Sequence, residues 1–216
     1  MYILGIKENI DVRSIEDLVD FELHKSYLAF VEQYGYGEIC ECASVGLPDE
    51  EFFSNNFAEY SYLWDWKDEA QLAKVKKGLM VLFTYDGGNV YCIDDEKPFL
   101  LFGTGDTLLE FDTFEDVIQY YLKIYEITPQ EFYYSSSYKS TIESYRYSNQ
   151  KEIVEKRIVN ELESELSLKV EDAKYLYQAI GGWINFGHSI RIKYQAQFEE
   201  NVELFKSIIE KANRAD

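Results

Sequence analysis

Apolar positions along the chain recur with two different periods, and the changes of period mark its elements. Tyr27, Phe30, Val31 and Tyr34 fall at i, i+3, i+4 and i+7, one face of a helix, and Gly35 stands where such a helix stops. Upstream, Ser14-Ile15-Glu16-Asp17 sets a capping hydroxyl three residues ahead of an acid. Ile15, Leu18 and Val19 follow at helical spacing until Glu22 breaks the phase. Two short helices with a bend near Phe21–His24 fit this pattern better than one long helix. Asp68–Lys76 predicts a modest helix leading to Gly78. Asp112-Thr113, with Asp116 closing a capping box, predicts another that carries Phe114, Val117, Ile118, Tyr121 and Leu122 on one face.

Between these helices the pattern is that of strands. Ile39–Val45 predicts a short one, ended by Gly46-Leu47-Pro48, and Leu79–Tyr85, Val90–Asp94 and Phe99–Phe102 predict three more. The Gly87-Gly88 pair invites comparison with cofactor loops, and three fail. A phosphate loop needs Lys-Ser/Thr after its glycines, where Asn89-Val90 stands. A dinucleotide fingerprint must open a helix, whereas Val90-Tyr91-Cys92-Ile93 continues as strand. A calcium loop needs alternating acids before its glycine, and only Asp86 precedes Gly87. Two glycines between apolar runs instead suit a tight hairpin. Asp94-Asp95-Glu96 then forms the next turn before Pro98, so this is a meander whose turns carry carboxylates.

Beyond Ser135 the periodicity lapses until about Gln150, which predicts a linker or long loop over 135–149. Helices are predicted over Lys151–Leu166, Val170–Ile180 (closed by Gly181-Gly182) and Glu199–Ala212, with a strand over Ser189–Gln197. The expected organisation is an α+β domain over 1–134, a linker, and a mostly helical extension over 150–216 with one or two strands. The expected fold class is α+β, an antiparallel or mixed sheet meander flanked by helices.

Composition changes this picture mainly through charge. Forty acidic against 21 basic side chains give a net charge of −19. Residues 1–149 hold 28 acidic and 11 basic side chains, −17, while 150–216 hold 12 and 10, −2. The first part should repel nucleic acid and anionic membrane and attract a basic partner. Met1–Ile10 lacks the basic start and apolar run of a secretory leader, no stretch reaches membrane-spanning length, and three cysteines make no disulfide framework. A cytoplasmic protein is expected.

The chemistry-bearing residues are sparse. Cys40 and Cys42, read on one face of a strand, are better free thiols than zinc ligands, because too few partners lie at metal-site spacing. Two histidines and no nucleophile elbow leave little room for a catalytic triad. Paired carboxylates for a glycosidase arise by chance in so acidic a chain. No catalytic residue, cofactor or metal is expected. Tyr60-Ser61-Tyr62-Leu63-Trp64-Asp65-Trp66 is different: its four large aromatics either fill a core or anchor an interface, and acids beside them would meet a basic partner. The expected contacts are Asp49, Glu50, Glu51, Tyr62, Trp64, Asp65, Asp68, Glu69, Asp94, Asp95 and Glu96.

Three motifs in order carry a resemblance. Leu23-His24-Lys25-Ser26-Tyr27 through Tyr34-Gly35 resembles the Leu-Pro, Tyr, Phe-Leu, Tyr/Asn-Gly pattern of the SMI1/KNR4 (SUKH) superfamily. Asp86-Gly87-Gly88-Asn89-Val90-Tyr91-Cys92-Ile93-Asp94 resembles its Gly-rich turn and Tyr-x-x-Asp strand. Phe111-Asp112-Thr113-Phe114-Glu115-Asp116-Val117-Ile118 is similar to its closing helix. Together they span about Ile15–Tyr125. His24 stands where the family usually has proline, and the chain beyond Gln150 has no counterpart. The resemblance implies an antiparallel sheet with flanking helices. It also implies a role like that of bacterial members, which mostly act as immunity proteins that neutralise toxins, often nucleases. The alternative it leaves open is an intracellular regulatory scaffold that binds other proteins.

Overall fold

Residues that share a helical face share a fate on folding. In the computed structural model of the chain, Tyr27, Phe30 and Val31 are all buried along one helix, Lys25–Tyr34. The structure describes residues 1–7, 9–45, 69–84, 88–102, 108–126, 132–135, 140–171 and 173–214. Two compact units divide the chain: Lys7–Pro129, and Met1–Ile6 together with Gln130–Asp216. The fold class is α+β in both.

In the N-terminal unit six strands run as an antiparallel meander: β2 (Gly37–Ile39), β3 (Ala43–Val45), β4 (Leu79–Thr84), β5 (Asn89–Cys92), β6 (Phe99–Phe102) and β7 (Leu108–Phe111). Among the described residues four helices accompany them: α1 (Val12–Glu16), α2 (Lys25–Tyr34), α3 (Glu69–Lys77) and α4 (Phe114–Ile124). β4 reads Leu-Met-Val-Leu-Phe-Thr without alternation because both its faces are covered. Consecutive residues of β6 show the two layers. Phe99 turns to Phe114, 5.5 Å between ring centroids, and Phe114 in turn meets Tyr27 and Phe30 at 5.2 and 5.0 Å. Leu100 turns the other way, to Val75 of α3 with Met80, Tyr91 and Ile93.

Local chemistry fixes the helix ends. Thr113 Oγ accepts from the Asp116 N–H while Asp116 accepts from the Thr113 N–H at 3.1 Å, the box expected from the sequence. Gly35 ends α2 at φ 74°, a conformation open to glycine. His24 caps α2 in place of the family's proline, its Nδ1 accepting from the Ser26 N–H. Ser26 Oγ lies 2.8 Å from that nitrogen and accepts from the Phe114 N–H at 2.9 Å, so the start of α2 is tied to the start of α4. α1 begins earlier than its sequence signal: Asp11, not Ser14, is the cap, because an aspartate two residues before Arg13 reaches its N–H at 3.1 Å.

In the C-terminal unit β1 (Tyr2–Leu4) pairs in parallel with β8 (Phe132–Ser135). A five-stranded antiparallel sheet has the order β10 (Leu168–Glu171), β11 (Lys174–Tyr177), β12 (Gly182–Phe186), β13 (Ile190–Gln195), β9 (Ser140–Tyr145). Helices α5 (Lys151–Glu161) and α6 (Glu199–Arg214) cover one face. Val154, Ile158, Val202, Phe205 and Ile209 pack there on Tyr175, Tyr177, Ile184, Phe186, Ile190 and Ile192. At the β9 end Glu143 accepts from Lys206 at 2.7 Å, Tyr194 at 2.5 Å and Tyr145 at 3.0 Å. Burial pushes the Glu143 carboxyl up, but these three donors together hold it below the usual carboxylate range.

Three expectations fail here, each for a tertiary reason. Val170–Ile180 is not a helix but β10, β11 and a single 3-10 turn. Its Lys-Tyr-Leu-Tyr segment gains a full ladder against β12, which outweighs the helical spacing. Ile39–Val45 is not one strand but a hairpin, with Cys40 and Glu41 at φ 48° and 61° in its turn. Ser140–Tyr145, in the stretch expected to be a linker or loop, is β9. An edge strand with little buried surface has no hydrophobic alternation to betray it.

Candidate partner-binding site

Of the eleven expected contact residues, Asp49, Glu50, Glu51, Tyr62, Trp64, Asp65 and Asp68 lie outside the described residues. The other four are described and exposed: Glu69 in the first turn of α3, and Asp94, Asp95 and Glu96 in the turn between β5 and β6. That turn is built by the sheet. The Ile93 N–H donates to Pro98 O at 2.9 Å and the Asp95 N–H to Ile93 O at 3.1 Å, which pushes the three acids outward.

The acids are not equivalent. Lys74 of α3 hydrogen-bonds Asp95, and the Glu96 N–H donates to the other carboxylate oxygen at 2.7 Å. The lysine beside Asp95, with that amide second, holds its carboxyl below the ordinary range. Asp94 and Glu96 have no ion-pair partner among the described residues, so the turn offers two uncommitted carboxylates and one engaged. Glu69 stands five residues before Lys74 on the same helix, about 7.5 Å along its axis at ~1.5 Å per residue. The next residue, Lys97, is bound to Asp112 at 2.5 Å, which pins the far side of the turn.

The sequence reading missed the basic side of this surface. A recess of about 230 Å³ is lined by Asp20, Phe21, Lys74, Lys77 and Asp94. Its signal is the run Lys74-Val75-Lys76-Lys77, a cationic cluster inside the acidic half of the chain. On α3 the lysines crowd the last turn, where they complement the helix dipole. The site is therefore a mosaic in which two lysines face a carboxylate-rich turn and Phe21 adds an apolar wall. It can exchange ion pairs with a charged partner.

The thiols are separate from it. The Cys42 thiol donates to Ile39 O at 2.9 Å, while Cys92 is buried and burial pushes its thiol up to about 11, partly offset by the His24 backbone. Among the described residues no three His, Cys, Asp or Glu side chains converge as metal ligands. No helix there is long and apolar enough to cross a membrane.

A six-stranded meander with helices on both faces and a charged, exposed β5–β6 turn defines the class of the N-terminal unit. The family model described as SMI1-KNR4 cell-wall matches residues 2–126, more than half of the chain, and the chain belongs to that family. No curated protein and no solved structure matches it. The match takes in the whole meander and α1 to α4, as the three sequence motifs imply. The five-stranded sheet with α5 and α6 lies beyond it.

Proposed function

We propose that the chain is an immunity protein that binds a basic protein toxin, a nuclease in the simplest case, and blocks it in the cytoplasm without chemistry of its own. One observation carries this reading: the charge is partitioned by unit. Lys7–Pro129 holds 26 acidic and 9 basic side chains, −17, whereas the remainder holds 14 and 12, −2. Both units share one chain and one solvent, so a general need for solubility gives no reason to load a single unit. A cationic partner does, because a toxin that holds nucleic acid must itself be basic. Membership of the SMI1-KNR4 family supports the same reading.

In this mechanism the acidic unit speeds encounter over about one screening length, ~8 Å at physiological salt. Asp94, Glu96 and Glu69 then meet basic groups of the toxin, with aromatic anchors slowing release. Asp95 contributes less, since Lys74 already holds it. The decisive experiment co-expresses the chain with the product of the adjacent gene. Rescue of growth and a stable complex are expected; full toxicity in the presence of excess folded protein would overturn the proposal.

A further inference from the structure

We propose that β9 is a dimerisation edge, through which two copies of this chain join their five-stranded sheets across a twofold axis. β9 ends the sheet, pairing only with β13 among the described residues, in an unbroken register from Ser140↔Gln195 to Tyr145↔Ile190. Monomeric proteins blunt such edges with lysine, proline, a bulge or an inward-pointing charge. Ser140-Thr141-Ile142-Glu143-Ser144-Tyr145 has no lysine, proline or bulge, and its one inward charge, Glu143, is neutralised by Lys206 of the helix layer. Ile142 points the other way with 54% of its surface exposed.

The strand is also self-complementary in one register. Outward N–H and C=O groups occur on alternate residues, so a twofold axis must pass through a residue and not between two. With the axis at Glu143, two acids stand opposite each other; at Thr141 or Ser144, only three residues overlap. With the axis at Ile142, five residues overlap. Ile142 then meets Ile142, Glu143 meets Thr141, and Ser140 meets Ser144, with no like charges opposed. Charge selects the occupant as well. A cationic partner is drawn to the unit at −17, whereas the unit at −2 is where two copies meet with least repulsion.

The test uses the full chain. Light scattering at tens of micromolar should give twice 25.4 kDa for the wild type and a single chain for Ile142→Lys. Leu204→Lys, which removes an apolar residue 57% exposed on α6, should stay dimeric. Under mild oxidation Ile142→Cys should cross-link into a dimer, because residues facing each other at the axis lie within disulfide reach, roughly 4.5–5.5 Å between Cα atoms. Ser144→Cys and the wild type should not. A monomeric wild type overturns the proposal, as does a folded Ile142→Lys dimer or equal cross-linking at 142 and 144. A strand that pairs only when the toxin is added would assign the edge to that partner instead.

Discussion

Gly182→Ala should disrupt the C-terminal sheet while leaving the meander intact. Gly182 opens β12, facing Tyr177 on one side, and its own Cα leans on β13. An added Cβ would lie 1.7 Å from the Lys193 carbonyl oxygen, 2.6 Å from its carbon and 3.0 Å from Tyr194 Cα. All three are backbone atoms, so no rotamer relieves the clash. Reaching ordinary contact requires β13 to retreat by about 1.5 Å from a strand spacing of ~4.8 Å, which stretches the neighbouring ladder hydrogen bonds past breaking. Losing two such bonds at about 1 kcal/mol each, with some loosened packing around buried Trp183, gives a destabilisation of roughly 2–4 kcal/mol. Gly187→Ala is the control: its one close neighbour is a side-chain oxygen of Asn185 at 3.3 Å, and its cost should stay within ~0.5 kcal/mol. Urea unfolding gives the free energies, and hydrogen exchange should show fast exchange over 182–195 but not over β4–β6. A Gly182→Ala midpoint equal to that of Gly187→Ala would refute the close-approach argument.

Other outcomes follow from the charged and capped positions. Reversing Asp94 and Glu96 together to Lys should slow association with the toxin and flatten its salt dependence, measured by stopped flow, whereas Asp95→Asn should change it less; equal effects would show that Lys74 does not engage Asp95 in solution. Glu143→Gln should lower stability by up to ~1 kcal/mol at neutral pH, a small figure because 34% of the carboxylate side chain meets water. Since the Glu143 carboxyl is held low, its contribution is present above the unfolded value near ~4.3 and is lost as pH falls through the folded one, so the variant should show a shallower acid limb in pH-dependent melting. Ser26→Ala strips the Phe114 N–H of its acceptor and should cost about 1–3 kcal/mol in thermal melts, since that amide is only partly open to water.

What could be read from the chain follows the range of the forces involved. α2 and α4 declare themselves because their caps and apolar faces lie within a few residues, and β4 to β6 because each of these strands pairs with the next. β10 and β11 do not, since Ala173, Leu176, Tyr177 and Ile180 fall at helical spacing and read as one face of a helix until β12 is beside them. Ser140–Tyr145 escapes notice for the opposite reason, that it buries almost nothing. At the site, the exposure of Asp94, Asp95 and Glu96 was legible as a turn before Pro98. The capture of Asp95 by Lys74, 21 residues away, was not, because a single hydrogen bond between distant side chains leaves no periodic trace. The aromatic stretch around Trp64 falls outside the described residues.

The parallel pairing of Tyr2–Leu4 with Phe132–Ser135 has a consequence for the order in which the molecule is made. The meander is drawn from one continuous span and can close as soon as that span leaves the ribosome. The opening strand must wait for a partner some 130 positions later, and the Gly5 amide waits longer still for Gln178. Cutting the chain where the family match ends would strand that first segment on the wrong fragment. A fusion tag grafted at the front therefore threatens the half of the protein that is synthesised last.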